Sequence, residues 1–227
     1  MLTLYVAIVA VLAFEGVLLA YLGWAYNAPR FASRRISPSP PLRVSTGERA
    51  RYFLMSSGLS LLFIFLFTQG LWGTGITETG PSWRVIVDPI AVILFYDFLY
   101  YFLHRLMHHK RLMRHVHAVH HRARNPSALE SFYLHPVELF AGLALLNACV
   151  WMYGLVLGPM SVAGYSVLFF FHSTLNIVVH SGLQFGGALM RPLDFLAKKH
   201  SIHHKDDGTR NYSSLTPIPD FLFGTSA

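Results

Sequence analysis

Long apolar runs separated by short basic segments divide this chain. Leu2–Tyr26 is apolar apart from Glu15, and Tyr52–Trp72 carries no charge. Val85–Leu103 holds Asp88 and Asp97, while Val137–Leu157 and Ser161–Val179 read as a hairpin turned at Gly158-Pro159. Each run approaches or exceeds the roughly 20 residues that cross a hydrocarbon core as a helix. The pattern predicts an all-α integral membrane protein with about four to five transmembrane helices. The first run is too long for a cleaved signal and lacks a basic leading segment and an A-x-A site, so it is expected to be a retained helix. Asp88-Pro89 predicts a helix start, with Asp as N-cap and Pro at the first helical position. A helix from there reaches His104 after about 24 Å, at the membrane edge. Gly186-Gly187 followed by Ala188–His200 predicts a short amphipathic interfacial helix, with Arg191, Lys198 and Lys199 toward headgroups.

Composition agrees: 53% of residues are hydrophobic and only 13% charged, with mean hydropathy +0.43, against about 25% charged in soluble domains. With the spans placed as above, every Lys and Arg except Arg84 falls on one side. The excess of basic residues on that side makes it cytoplasmic and puts the N-terminus outside. The net charge of +7 follows from orientation and from anionic headgroups, and a nucleic-acid role is excluded because the basic residues flank spans rather than forming one soluble face. Cys149, the only cysteine, lies inside a span. It offers neither a disulfide nor a thiolate metal site, and burial keeps such a thiol protonated.

Against this apolar background stand 13 histidines, many in clusters: His104-x3-His108, His117-x2-His120-His121 and His200-x2-His203-His204. At this composition the expected number of HxxHH matches is roughly 0.04, so two are not chance. On a helix, positions i, i+3 and i+4 share a face, so each triplet is expected to aim its imidazoles at one point. Neutral imidazole is the commonest ligand for zinc, iron and copper, and eight imidazoles exceed the needs of one ion. The spacing therefore predicts a two-metal centre. Asp97, seven residues before His104, is expected to accept the second N–H of a ligand histidine, or else to hydrogen-bond a neighbouring helix. His172, Asn176 and His180 form a stripe on one span. His180 is expected to ligate, and Asn176 to approach a metal directly or through water. His172, about 12 Å deeper, is expected to be a core histidine.

The ordered series Asp97-x3-Tyr101-x2-His104-Arg105-x2-His108, His117-x2-His120-His121, His135-Pro136-x-Glu138, His180-Ser181-Gly182 and His200-x2-His203-His204, ending in Asn211-Tyr212 and Asp220–Thr225, resembles the sterol desaturase/fatty-acid hydroxylase superfamily. The resemblance covers about residues 85–225, and its HPxE and HSG elements are closest to C-4 methylsterol oxidases and related lipid hydroxylases. It implies a cytoplasmic helical cap holding a histidine-rich di-metal site. Residues 1–84 would then be N-terminal transmembrane helices with a basic cytoplasmic loop, and 85–227 the catalytic domain. The implied ligands are His104, His108, His117, His120, His121, His180, His200, His203 and His204. His109 offers an alternative to His108, since HxxxxH spacing occurs in some members. Fatty-acid 2-hydroxylase relatives carry a histidine where this chain has Asn176. Asp97, His135 and Tyr101 are expected to support ligands rather than to ligate, and His115 has no matching role.

The implied activity is an O2-dependent non-haem di-iron oxygenase that hydroxylates or desaturates an apolar lipid such as a sterol or fatty-acyl chain. Two iron ions are its cofactors, with zinc substituting on overexpression. Its partners are a bilayer lipid and a separate electron donor, either cytochrome b5-like or a ferredoxin/reductase pair, and its location is a bacterial inner membrane or the endoplasmic reticulum. Two other classes compete. A histidine-rich metal transporter would place its site near the midplane, often with inverted repeats, whereas these clusters sit at one face. A haem-binding electron carrier would use facing histidines within spans, which only His172 and His180 fit. Substrate identity, and hydroxylation against desaturation, is not written in any residue.

Overall fold

A computed structural model describes residues 1–37, 45–205 and 209–227; Arg43 of the basic segment after the first span lies outside them. Five long helices, α1 (Leu2–Asn27), α2 (Thr46–Leu71), α3 (Arg84–Met107), α6 (Pro136–Leu157) and α7 (Val162–Val179), are long and apolar enough to cross a membrane. Between α3 and α6 run a short helix α4 (Lys110–Leu112), a π-helical turn (Met113–His117) and α5 (Ala118–His121), which together form one helical stretch. A 3-10 turn (Ala128–Phe132) precedes α6. After α7 come α8 (Arg191–Lys205) and α9 (Ile218–Leu222). Among the described residues the strands are two parallel pieces, β1 (Ile76–Thr77) and β2 (Met160–Ser161), at the end of the bundle away from the histidines. The chain is thus an all-α integral membrane protein.

Local chemistry sets the helix boundaries. Ser45 caps α2 by accepting from Glu48 N at 3.1 Å, and Ser161 caps α7 by accepting from Gly164 N at 3.1 Å; each satisfies a backbone donor that lacks an intrahelical partner. The helix expected to begin at Asp88-Pro89 instead begins at Arg84, and Pro89 lies inside it. Pro89 there forgoes the hydrogen bond that its position would otherwise make to the Val85 carbonyl. Asp88 is therefore not a cap: it pairs with Arg84 at 3.0 Å and accepts from Tyr153 Oη at 2.7 Å. α2 starts six residues earlier than the uncharged run, because Glu48, Arg49 and Arg51 extend it beyond the apolar stretch.

α3 packs on α7 and α6, α1 on α7, and α2 on α6. The apolar centre of the bundle contains Val92, Val150, Leu168 and Tyr165. The outward faces carry exposed Val6, Val9, Leu61, Leu66, Ile90, Leu155 and Val156, as a lipid-facing surface requires. Gly154 lets α6 approach the loop before β1: a Cβ there would lie 2.4 Å from the Thr74 carbonyl oxygen. The C-terminal ends of α3 and α7, the N-terminal ends of α2 and α6, and all of α5 and α8 meet at one end of the bundle. The histidine clusters are there.

Candidate metal centre

Nine imidazoles gather at this end in two groups: His104, His108, His117, His121 and His203, and beside them His120, His180, His200 and His204. Within each group the candidate ligand atoms all lie within 4.8 Å of one another. Each HxxHH triplet splits. His117 and His121 face the first group and His120 the second, whereas His200 and His204 face the second and His203 the first. The expectation that each triplet aims at one point is thereby corrected. At 3.6 residues per turn, i and i+4 are about 40° apart around the helix, but i+3 and i+4 are about 100° apart. Two helices carrying the motif thus exchange one histidine each, and the groups adjoin: His121 and His204 stack with ring centroids 4.8 Å apart.

The outer nitrogens decide the tautomers. His104 Nδ1 donates to the Tyr212 carbonyl at 2.6 Å, His203 Nδ1 to the Arg210 carbonyl at 2.6 Å, and His180 Nδ1 to the Asn176 carbonyl at 2.7 Å. A carbonyl only accepts, so in these three rings the proton sits on Nδ1 and Nε2 presents a bare lone pair inward. His117 Nδ1 lies 2.9 Å from Glu138 Oε1. In the first group His117 Nε2 is 3.0 Å from His104 Nε2, 3.1 Å from His108 Nε2 and 3.0 Å from His121 Nε2, and His108 and His203 Nε2 are 3.2 Å apart. In the second, His180 Nε2 is 3.2 Å from His120 Nε2 and 2.8 Å from His200 Nε2, which is 3.0 Å from His204 Nε2.

Lone pairs of neutral rings at such separations repel unless a cation lies between them. Two nitrogens each about 2.0–2.1 Å from a shared ion stand about 2.9 Å apart at a right angle and about 3.4 Å apart at the tetrahedral angle. The observed spacings fall in or next to that range, so the donor set fits two metal ions. Burial, followed by the mutual repulsion of the clustered rings, holds His120, His121, His200 and His204 well below the usual imidazole range. Burial is also the main cause lowering His108 and His203 to about 3 and His180 to about 4. All therefore stay neutral, as ligation requires.

The supporting residues differ from expectation. Asp97 meets no histidine: its two oxygens accept from the backbone N–H groups of Ser214, Leu215 and Thr216 at 2.9–3.1 Å and from Thr216 Oγ1 at 2.6 Å. Residues 211–216 are thus fastened to α3, and the adjacent Tyr212 carbonyl orients His104. The carboxylate beside a candidate ligand is Glu138, one helical position beyond Val137 and visible in advance only as the last residue of HPxE. His135 caps α6, its Nδ1 accepting from Val137 N at 3.2 Å, and Pro136 takes the first helical position, where a missing N–H costs nothing. Tyr101 is fully buried and stacks on Phe223 at 4.8 Å, holding the C-terminal segment rather than an imidazole. Of His108 and His109, His108 stands in the first group, whereas His109 is exposed and belongs to neither group. Asn176 gives its carbonyl to His180, and it lines a cavity together with His104, His120, His180 and His200. His172 is buried against Tyr96, edge to face at 4.9 Å, and belongs to neither group.

A buried ion pair closes the centre from the C-terminal side. Lys199 Nζ lies 2.6 Å from Asp220 Oδ2 and donates to the Ser213 carbonyl at 2.8 Å. Asp220 also accepts from Tyr212 N at 2.8 Å and Ser213 N at 3.0 Å. Burial would raise this carboxyl, but the Lys199 ammonium and the Ser213 and Thr225 hydroxyls outweigh it and hold it below its ordinary value. Gly182, in the turn after His180, has φ +66°, and a Cβ there would sit 2.4 Å from the Pro126 carbonyl oxygen. Only glycine allows α7 to end so close to the loop that carries the second cluster.

Residues 89–225 match the family described as fatty acid hydroxylase. Methylsterol monooxygenase 2-2 of Arabidopsis thaliana is 34% identical over 158 residues, covering 64% of this chain and 54% of its own length. Very-long-chain aldehyde decarbonylase GL1-8 of Oryza sativa subsp. indica is 35% identical over 182 residues, 74% of this chain and 62% of its own. Methylsterol monooxygenase 1 of Rattus norvegicus is 32% identical over 158 residues, 65% and 50% respectively. The chain thus spans between half and 62% of the length of these relatives. No solved structure matches.

Proposed function

The chain belongs to the fatty acid hydroxylase family, and on that premise we propose that it is a membrane-bound, O2-dependent di-iron oxygenase that hydroxylates or desaturates an apolar lipid. The observation that carries this reading is the pair of adjoining imidazole groups beside a cavity. One ion would be held by His104, His108, His117, His121 and His203, and the other by His120, His180, His200 and His204. Bound there, two iron ions would supply activation of O2 for attack on a C–H bond, with electrons from a separate donor. Zinc would occupy the same nitrogen sites on overexpression.

The chain's own residues define the rest. The Tyr212, Arg210 and Asn176 carbonyls hold His104, His203 and His180 in the ligating tautomer. Tyr96, Leu139, Leu143 and Leu215 give the cavity beside the histidines apolar walls, which suit a lipid and exclude water. Residues 85–227 would form the catalytic unit, and 1–84 the N-terminal spans. The one-sided basic residues support a cytoplasmic position for the histidines, in a bacterial inner membrane or the endoplasmic reticulum. The relatives' names point to sterols and long-chain aldehydes as substrate classes to try first. Iron analysis of the purified chain, together with lipidomics of expressing cells under labelled oxygen, tests the reading. About two iron per chain, with labelled oxygen or a new double bond in a lipid, support it; an iron-free protein that alters no lipid overturns it.

A further inference from the structure

The cavity beside the histidines adjoins a second, more apolar one. Both are walled by Ser131, Leu134, Leu139, Leu143, His172 and Asn176. The second lies between the α1–α7 and α2–α6 helix pairs and adds Leu12, Ile64, Phe169 and Ile177 to its walls. Its polar lining includes Glu15, the one charged residue of α1, near the middle of that span. Glu15 is only 6% exposed. An ionisable side chain at such depth is costly and calls for a partner. Ser173 Oγ meets Glu15 Oε1 and also the Phe169 carbonyl; among the described residues Oε2 has no hydrogen-bond partner. A clamp between α1 and α7 would need one oxygen and no cavity. Here a second acceptor is left over on the wall of an apolar space that shares six wall residues with the cavity beside the histidines.

We propose that Glu15, positioned by Ser173, anchors the hydroxyl group of a lipid alcohol whose apolar body runs through the two cavities toward the histidine centre. The inference rests on that centre being the place of oxidation. Ser173 precedes His180 by seven residues on one helical run, about 10 Å along its axis. The anchored hydroxyl therefore stands well away from the carbon that reacts. The chemistry selects against a hydrocarbon, which leaves the carboxyl oxygen unpaired.

The test uses the full chain in nanodiscs with radiolabelled hexadecanol and hexadecane as probes, subtracting the uptake of empty discs. The parent protein should retain hexadecanol about tenfold more tightly than hexadecane, the order expected for one buried hydrogen bond. Glu15→Leu should lower hexadecanol to the hexadecane level. Glu15→Gln, whose amide oxygen still accepts, should keep most of the preference, and Ser173→Ala should lose part of it. A parent without preference for the alcohol overturns the proposal, as does Glu15→Leu with the preference intact. If Glu15→Leu does not fold, a preference for the alcohol that is unchanged in Ser173→Ala overturns it instead. Iron content is measured on the same samples and should not change in any variant. Loss of iron from the parent would remove the oxygenase reading while leaving alcohol binding readable.

Discussion

His120 and His121 are neighbours in the chain, yet they deliver their Nε2 atoms to different imidazole groups, with ring planes at 88° and centroids 5.9 Å apart. The division gives a sharp expectation for single substitutions. His121→Ala should remove a ligand of the first site and His120→Ala a ligand of the second. Each variant should fall from about two metal equivalents toward about one, with a different site emptied. Spectra of cobalt-loaded protein would tell the two half-filled forms apart. Identical spectra would show that the groups do not act as separate sites.

Glu138 stands behind His117, where it orients the ring and raises the basicity of Nε2. Glu138→Gln should weaken metal retention in the first site by about 10–100-fold and leave the second unchanged. Chelator competition followed by elemental analysis reads both. Equal resistance in variant and parent would reduce Glu138 to a helix-start carboxylate.

Asp220 and Lys199 form a buried pair, so removing one partner strands the other. Asp220→Ala should destabilise the protein by about 3–5 kcal/mol. It should also loosen the Tyr212 carbonyl from His104, so chelator should strip the first site faster than the second. A melting temperature within error of the parent would contradict the role given to this pair.

His172→Ala should keep the parent's full metal content, because His172 packs on Tyr96 and joins neither group. It opens space in the wall shared by the two cavities, so lipid retention should change while metal does not. Metal loss as complete as in His121→Ala would make His172 part of the centre.

Acid should destabilise the metal-free protein. His203 at about 3 and His180 at about 4 lie below the ordinary value in the folded chain because of burial, whereas both titrate near 6.5 once unfolded. Between those values the unfolded chain binds more protons, so stability is complete above about pH 6.5 and falls as the pH drops toward 4. Each group contributes up to about 1.4 kcal/mol per pH unit across that window. Melting temperatures of chelator-treated protein at pH 7.5, 6 and 5 should decline in that order. A flat series would mean that the rings are solvated rather than buried.

About four to five membrane helices, their common basic side and the eight clustered imidazoles were legible in the chain alone, because each rests on local quantities. Helix length against bilayer thickness, charge beside spans and spacing along one helix need no partner. The resemblance to a histidine-box family narrowed the ligand set further, since its motifs lie within short segments. Glu15 was visible as an interruption in an apolar run, but nothing around it in sequence named Ser173, 158 positions away.

What only the tertiary structure decided is which residue serves which neighbour. The exchange of His120 and His203 between groups depends on how α5 and α8 face each other, since 100° of helical rotation has no meaning until a second helix is placed. Asp97 was the obvious carboxylate by spacing, yet it was drawn to the unpaired backbone of residues 214–216, which folds over α3 from more than a hundred positions away. Glu138 took its place because α6 starts beside His117. The ligand types follow from side-chain chemistry along the chain; their pairing follows from packing between distant segments, where the need to satisfy buried polar groups determines which carboxylate reaches which partner.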